Sequence, residues 1–230
     1  MSESASLFSH FVSTRVTFRW LTGLVIVSAG VLWLGVGVDI AEIRLLGREG
    51  LGIATPDERA AQGIVEYWTF VLRTVALAIT AVAFIVWLYR CRVNLRAFGI
   101  RRLRYSRNWV VYGFLIPVLN LVRPYQVARE VWQASDPSTT DPFAWSEVKT
   151  PRMIQAWWAT FVGFMLLKPL ALWMLASAAR DVPRLQIAQS VDLFADSLAA
   201  VSVTFLYFVV ERITDAQDTK WRNLTPPLPN

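Results

Sequence analysis

The segment GFLIPVLNLVRPYQ, residues 113–126, is apolar enough for a membrane, yet it contains two prolines and several polar side chains. It overlaps a mostly apolar run of fourteen residues, 109–122. A helix of that length reaches about 21 Å, which is short of the roughly 30 Å hydrocarbon core of a bilayer. Pro117 and Pro124 further disfavour a straight helix, because proline lacks the backbone N–H that a helix interior needs. The run is therefore predicted to be a re-entrant or short membrane-embedded segment.

Longer apolar runs make up most of the remaining chain. Among its 230 residues, 55% are hydrophobic, 11 are tryptophan and only 17% are charged, a balance that is unusual for a soluble domain. Runs of about 20 apolar residues, the length that crosses a bilayer as a helix, occur at 20–38, 68–89, 154–178 and 190–210. We therefore predict an all-α integral membrane protein with about four transmembrane helices plus the short proline-broken segment. Five spans are the alternative.

The distribution of basic residues predicts the orientation of a single membrane domain, residues 19–212. A Ser-rich segment, 1–18, precedes this domain and is predicted to be flexible, and a loose tail, 213–230, follows it. If 109–122 turns back, one side of the membrane carries 16 basic residues and the other side 5; if it crosses, the split is 11 and 10. Basic residues gather on the cytoplasmic side of short loops. The segment is therefore predicted to turn back, with the N-terminus in the cytoplasm.

An acidic loop is predicted between the first two spans, at 39–66, where six acids outnumber three arginines. Within it, Thr55 and Glu58 have the spacing of a capping box, in which each side chain bonds the backbone N–H of the other. The sequence therefore predicts that the second helix begins at this point.

The sequence lacks the residues that several classes of function need. Cys91 is the only cysteine and His10 the only histidine, so the chain can form neither an internal disulfide nor a zinc site built from these residue types. The formal charge of +6 does not indicate nucleic-acid binding, because the arginines cluster between apolar runs, where membrane topology explains them. No catalytic triad or Gly-rich phosphate loop is present. We expect no enzymatic activity, no cofactor and no metal site.

Polar side chains in and near the proline-broken segment form a first candidate site, for a ligand or for structural support. It contains Asn120, Arg123, Gln126, Arg90 and Asn94. Each proline leaves a carbonyl free one turn earlier, and the amides of Asn120 and Gln126 can bond such groups. The alternative is a broken helix that lines a solute site, as in many transporters.

Charged residues inside the predicted spans form a second candidate site. Lys168 lies some 15 Å deep in its helix, where a charge costs a few kcal/mol unless it pairs or reaches the interface. Asp196 and Asp192 lie on one face of the next span, and Arg73 lies one turn into the second. These four residues are predicted to form an intramembrane ion pair or cluster. A structural ion pair, a proton- or ion-coupled site and simple snorkelling of Lys168 are all compatible with this pattern.

The stretch RCRVNLRAFGIRRLRYSR, residues 90–107, holds seven arginines and no acid. Such a stretch sets the orientation of a membrane protein, and it can also bind an anionic lipid. The candidate lipid contacts are Arg92, Arg96, Arg101, Arg102, Arg104 and Arg107.

Four stretches of this sequence resemble a bacterial family that is catalogued as domain of unknown function 4328. They are WLYRCRVNLRAFG (87–99), NWVVYGFLIPVLNLVRPYQVAREVWQAS (108–135), AWW (156–158) and ERITDAQDTKW (211–221). The matching positions are Arg90, Asn94, Pro117, Asn120, Pro124 and Trp157. The resemblance covers roughly residues 65–222 and implies a multi-span membrane protein. It supplies no catalytic residue, because no activity is established for the family.

Two classes of function remain open for a multi-pass protein of a bacterial inner membrane. The first is an interaction, scaffold or accessory protein that binds membrane lipids, anionic ones included, or a membrane-protein partner. The second is a small channel or transporter, which would be a homo-oligomer because four spans enclose little pore. We favour the first, since a solute path usually needs more buried polar groups than this sequence offers.

Overall fold

The computed structural model describes residues 11–139, 141–179 and 181–225, and every regular element in this part of the chain is a helix. In chain order the α-helices are α1 (Arg15–Gly50), α2 (Pro56–Ala97), α3 (Trp109–Leu115), α4 (Arg123–Ser135), α5 (Arg152–Ser177) and α6 (Val182–Leu224). Four of them, α1, α2, α5 and α6, are long and apolar enough to cross a membrane. This confirms the predicted all-α class with four transmembrane helices.

The described residues divide into two compact units. Unit 1 contains residues 11–23, 81–155 and 207–225, and unit 2 contains residues 24–80 and 156–206.

The connection between α1 and α2, in unit 2, is much shorter than the predicted acidic loop at 39–66. Helix α1 continues to Gly50 because it still has an apolar face to pack, which includes the buried Leu45 and Leu46. The predicted capping box forms at the start of α2. The N–H of Thr55 donates to Glu58 Oε2 at 2.9 Å, and the N–H of Glu58 donates to Thr55 Oγ1 at 3.3 Å. All six acids of the predicted loop therefore lie on α1 or α2.

The proline-broken segment, in unit 1, is a helical hairpin. Helix α3 has only seven residues and ends before Pro117, and a short 3-10 helix, Leu119–Leu121, leads into α4. Val118 has a φ of 67°, a left-handed conformation that is unusual for a β-branched residue and that redirects the chain. A Cβ on Gly113 would lie 3.0 Å from Arg123 Cβ, so the start of α4 packs closely against α3. A helix of seven residues, about 10 Å long, is too short to span a bilayer. The position of the hairpin in the membrane remains a prediction.

Both predicted mobile ends are more structured than expected where they are described. Helix α6 continues to Leu224, because Ile213 and Gln217 are fully buried in unit 1 and extend its packed face. The predicted loose tail is therefore wrong for residues 213–224, and residues 226–230 lie outside the described part.

The predicted flexible segment 1–18 is likewise wrong for residues 11–18, whereas residues 1–10, with His10, are not described. Phe11 stacks on Trp221 with ring centroids 4.4 Å apart. The backbone of Val12 exchanges two hydrogen bonds with the Asn94 side chain, at 3.2 Å and 2.9 Å. These contacts with α2 and α6 hold the segment before α1 begins at Arg15.

Buried side-chain amides join the elements of unit 1. Gln217 Nε2 donates to the carbonyl of Cys91 at 3.0 Å and to Ser135 Oγ at 3.1 Å. Its Oε1 accepts a longer hydrogen bond from Asn94 Nδ2, at 3.4 Å. Asn94 therefore links α2, α6 and the segment before α1 through one buried side chain.

We expect Asn94→Ala to lower the free energy of unfolding by about 1–3 kcal/mol, because the backbone of Val12 loses its buried partner. Thermal unfolding of the purified protein in detergent measures the change. Arg96→Ala, at an exposed position half a turn away on α2, is the matched control and should change stability by less than about 0.5 kcal/mol. Similar losses in the two variants would contradict the bridging role of Asn94.

Candidate functional site

Five charged side chains meet in the interior of unit 2. They come from all four long helices: Asp39 from α1, Arg73 from α2, Lys168 from α5, and Asp192 and Asp196 from α6. All of them are buried except Lys168, which is half-buried. We refer to these five residues as the charge network.

The charge network is a chain of alternating sign. Arg73 Nη2 lies 2.9 Å from Asp39 Oδ2, and Arg73 Nη1 donates to Asp196 Oδ2. Lys168 Nζ lies 3.0 Å from Asp196 Oδ1 and 2.8 Å from Asp192 Oδ1. Asp196 therefore contacts both cations, whereas Asp39 and Asp192 contact one cation each.

Helical spacing explains why these side chains meet. Asp192 and Asp196 are one turn apart on α6, so one face of that helix carries both carboxylates. Gly35 on α1 provides the space that the guanidinium of Arg73 occupies. A Cβ at Gly35 would lie 1.8 Å from Arg73 Nε, far inside any permitted contact. Asp39 follows Gly35 by one turn and thus lies on the same face of α1, beside the guanidinium.

The structure brings together Arg73, Lys168, Asp192 and Asp196, which are the four residues of the predicted ion cluster. Sequence reasoning missed the fifth member, Asp39, because the apolar run ends at Val38 and the next residue was assigned to a loop. A helix that continues past the apolar run, with Gly35 and Asp39 on one face, is the signal that could have identified it.

A cavity of about 170 Å³ lies beside the charge network in unit 2. Its polar lining consists of Asp39, Glu66, Thr69, Arg73, Lys168, Gln189 and Asp192. A polar cavity of this size has room for several water molecules with hydrogen-bonding partners.

A second set of ions lies near one end of the charge network. The guanidinium of Arg59 on α2 donates to Glu42 Oε1, and its Nε lies 3.6 Å from Glu49 Oε1. Glu42 is buried and follows Asp39 by three residues on α1, so the two carboxylates lie near one another along the helix. Glu42 Oε2 has no hydrogen-bond partner in the described part of the chain.

The three aspartates of the charge network do not suit a resident divalent metal. One oxygen of each lies within 4.8 Å of an oxygen of the others, a spacing that metal ligands can have. However, Arg73 and Lys168 already contact these carboxylates, and a divalent ion would bring its charge next to two cations.

The arginine-rich stretch, in unit 1, contains one buried arginine. Arg92 lies 3.5 Å from Glu130 on α4 and also donates to the carbonyl of Tyr105. It is only 4% exposed, so its prediction as a lipid contact is wrong. The other five candidate lipid contacts, Arg96, Arg101, Arg102, Arg104 and Arg107, are exposed.

Glu130 organises the backbone at the end of this stretch. Burial raises the pKa of Glu130. The backbone N–H groups of Arg104 and Tyr105 and the guanidinium of Arg92 oppose this rise, because they stabilise the charged carboxylate. The carboxyl of Glu130 thus holds residues 104–105 against α4.

The five residues of the first candidate site fall into separate sets of contacts. Gln126 Oε1 accepts hydrogen bonds from Tyr105 Oη at 2.9 Å and from Arg123 Nη1 at 3.0 Å. Among the described residues Gln126 Nε2 donates to no backbone carbonyl, so the interpretation that it bonds a carbonyl freed by proline is wrong. Asn120 is half-buried, and no described residue forms a hydrogen bond with its side chain.

Arg90 and Asn94 belong to the other set, which contacts residues 12 and 17. Arg90 Nη1 donates to Thr17 Oγ1 at 2.6 Å, and Asn94 bonds Val12 as described above. Structural support is the role that these contacts show for both side chains.

A second cavity, of about 200 Å³, opens in unit 1 beside the arginine-rich stretch. It is lined by Arg104, Tyr105, Gln126, Arg129, Glu130, Gln133, Trp145 and Ser146. Arg104 and Arg129 are exposed, whereas Glu130 is buried and already bonded, so the reachable charges at this cavity are positive.

The model of one protein family, described as domain of unknown function (DUF4328), matches residues 53–215. This protein is a member of the DUF4328 family. The match confirms the resemblance inferred from the sequence, although it begins earlier and ends earlier than the segment 65–222. No curated protein and no solved structure matches the chain. In this DUF4328 protein, four residues of the charge network and all of the arginine-rich stretch lie within the matched region, and Asp39 precedes it.

We expect Gly35→Ala to lower the free energy of unfolding of this DUF4328 protein by about 1–3 kcal/mol. The added methyl group would displace the Arg73 guanidinium from its carboxylate partners. Thermal unfolding in detergent measures the effect. Gly37→Ala is the matched control, since no atom lies within 4 Å of a Cβ at that position of α1. Its stability should be unchanged or slightly higher, because alanine favours a helix more than glycine does. If both substitutions have the same effect, Gly35 does not make room for Arg73.

Proposed function

We propose that this DUF4328 protein is a membrane-embedded interaction protein of the bacterial inner membrane, which binds anionic phospholipid through its arginine-rich stretch. Its N-terminus lies in the cytoplasm, and it acts by binding rather than by catalysis. The observation that supports the proposal most strongly is the exposure of six of the seven arginines in one stretch that contains no acid.

The exposed arginines of this stretch are not paired with acidic side chains in the part of the chain that the structure describes. Those of the stretch form no salt bridge with any acid in residues 11–139, 141–179 or 181–225, apart from the buried Arg92. Arg102 lies over the ring of Phe143, 5.0 Å from its centroid, and this contact leaves its positive charge uncompensated. Each basic residue near a negatively charged leaflet contributes about 1 kcal/mol to membrane binding. Several such side chains together favour anionic lipids over neutral ones.

The cavity of unit 1 offers a place for one head group. Arg104 and Arg129 supply guanidinium groups. One guanidinium can donate two parallel hydrogen bonds to two oxygens of a phosphate. Gln126 and Ser146 add polar groups that can bond a glycerol or a second phosphate oxygen. Glu130 does not repel the ligand strongly, because Arg92 and two backbone N–H groups already compensate its charge.

The hairpin next to this stretch carries apolar side chains that suit the acyl region. Leu115 and Val118 are 67% and 76% exposed, and Tyr112 and Ile116 are exposed as well. Several exposed apolar side chains on neighbouring residues are typical of a surface that contacts a membrane or a partner. Arginines at head-group level with apolar side chains beside them are typical of an interfacial segment.

The double variant Arg104→Gln/Arg129→Gln tests the proposal. The purified protein is titrated in a neutral detergent with phosphatidylglycerol or phosphatidylcholine, and native mass spectrometry counts the bound lipids. We expect a higher affinity for phosphatidylglycerol in the parent protein, and a loss of about tenfold to thirtyfold in the variant, since two contributions of about 1 kcal/mol disappear. Binding of phosphatidylcholine should not change.

Arg19→Gln/Arg212→Gln is the matched control, because it removes the same charge from two exposed positions of unit 1 outside the cavity. The control should keep most of the phosphatidylglycerol affinity. An equal loss in both double variants would show that net charge alone attracts the lipid. No preference of the parent protein for phosphatidylglycerol would refute the proposed function.

A further inference from the structure

The charge network contains more acid than base. Its three aspartates carry three negative charges, and Arg73 and Lys168 carry two positive ones, so the fully ionised network has a net charge of −1. Buried uncompensated charge is costly in a protein interior and more so within a membrane. A proton or a monovalent cation would remove the imbalance.

The excess charge belongs to the two ends of the network. Asp39 and Asp192 contact one cation each, whereas Asp196 contacts both. An oxygen of Asp39 lies within 4.8 Å of an oxygen of Asp192, and two carboxylates this close favour the uptake of one proton by the pair.

Asp192 also has an oxygen that lacks a regular hydrogen bond. Its Oδ1 lies 2.8 Å from Lys168 Nζ but receives no hydrogen bond of normal geometry, and the residue is 7% exposed. Asp192 and Asp39 both line the 170 Å³ cavity, so water in that space reaches both carboxylates.

The surrounding groups do not supply the missing positive charge. Glu66 on α2 lines the same cavity and adds a further carboxyl group. Glu42 on α1 follows Asp39, and its contact with Arg59 is shared with Glu49, so this neighbouring set is itself rich in acid. The charged groups around the network are Glu42 and Glu49 on α1, and Arg59 and Glu66 on α2.

We propose that the charge network is a proton-binding site, in which Asp39 and Asp192 share one proton taken up from the solution. The proton forms an O–H bond with one of these carboxylates and converts it to a carboxylic acid, so the network changes from a net charge of −1 to 0. Asp196 stays ionised between Arg73 and Lys168. This inference is independent of the lipid-binding proposal, because it concerns other residues, in unit 2.

Infrared difference spectroscopy tests the inference directly, because a protonated carboxylic acid has a C=O stretch that a carboxylate lacks. The purified full-length protein in detergent is compared at neutral and alkaline pH. We expect the parent protein to lose one buried carboxylic-acid band as the pH rises. Asp39→Asn and Asp192→Asn each balance the charges of the network, and each should abolish that band. Asp57→Asn, at an exposed position on α2, is the control and should retain it.

Stability measurements on the parent protein provide a test that does not require either variant to fold. The native state should hold one proton that the unfolded chain releases, so the unfolding constant should increase by up to tenfold per pH unit over the range in which only the native state holds that proton. The increase should level off once the native site has lost its proton. The unfolding constant is also measured with added sodium and with a large organic cation at the same ionic strength. This comparison distinguishes a bound proton from a bound monovalent metal cation. If the band persists in both Asn variants, or if stability depends on sodium and not on pH, the proton-binding site is refuted.

Discussion

Arg73 and Lys168 belong to helices that are apolar enough to cross a membrane, and charges in such helices need partners inside the protein. Asp196 meets this need for both residues, because its carboxylate contacts the guanidinium and the ammonium group at once. The same contacts bring α2, α5 and α6 together, and Asp39 adds α1 through Arg73. Removing Arg73 leaves Asp39 without its cation, and removing Lys168 does the same to Asp192. An unpaired buried charge of this kind typically costs about 3–5 kcal/mol. The packing of unit 2 therefore depends on this chain of ion pairs.

Unit 1 uses buried polar groups in a different way. Its buried ion pair, Arg92–Glu130, and the hydrogen bonds of the Asn94 and Gln217 amides join separate segments of the chain. The other arginines of the same stretch remain exposed. Polar groups thus have two roles in this protein: the buried ones hold elements together, and the exposed ones are available to a ligand. Our proposal of lipid binding concerns only the exposed group.

The class of fold and most of the charge network could be predicted from sequence, because both follow from local patterns. The length of an apolar run predicts a spanning helix, and a charge within it predicts a partner on a neighbouring helix. The features that were missed depend on long-range contacts. Arg92 looks like its neighbouring arginines until the fold places Glu130, 38 residues later in the chain, beside it. Asp39 looks like a loop residue because the sequence does not show that Leu45 and Leu46 keep α1 helical.

A double-mutant cycle on Lys168 and Asp196 tests the central claim most directly. Lys168→Met, Asp196→Asn and the double variant are compared with the parent protein by their free energies of unfolding. If the ion pair holds α5 against α6, the loss in the double variant should be smaller than the sum of the single losses by about 0.5–3 kcal/mol. If the losses add to within about 0.5 kcal/mol, the two side chains do not interact and the account of unit 2 is wrong.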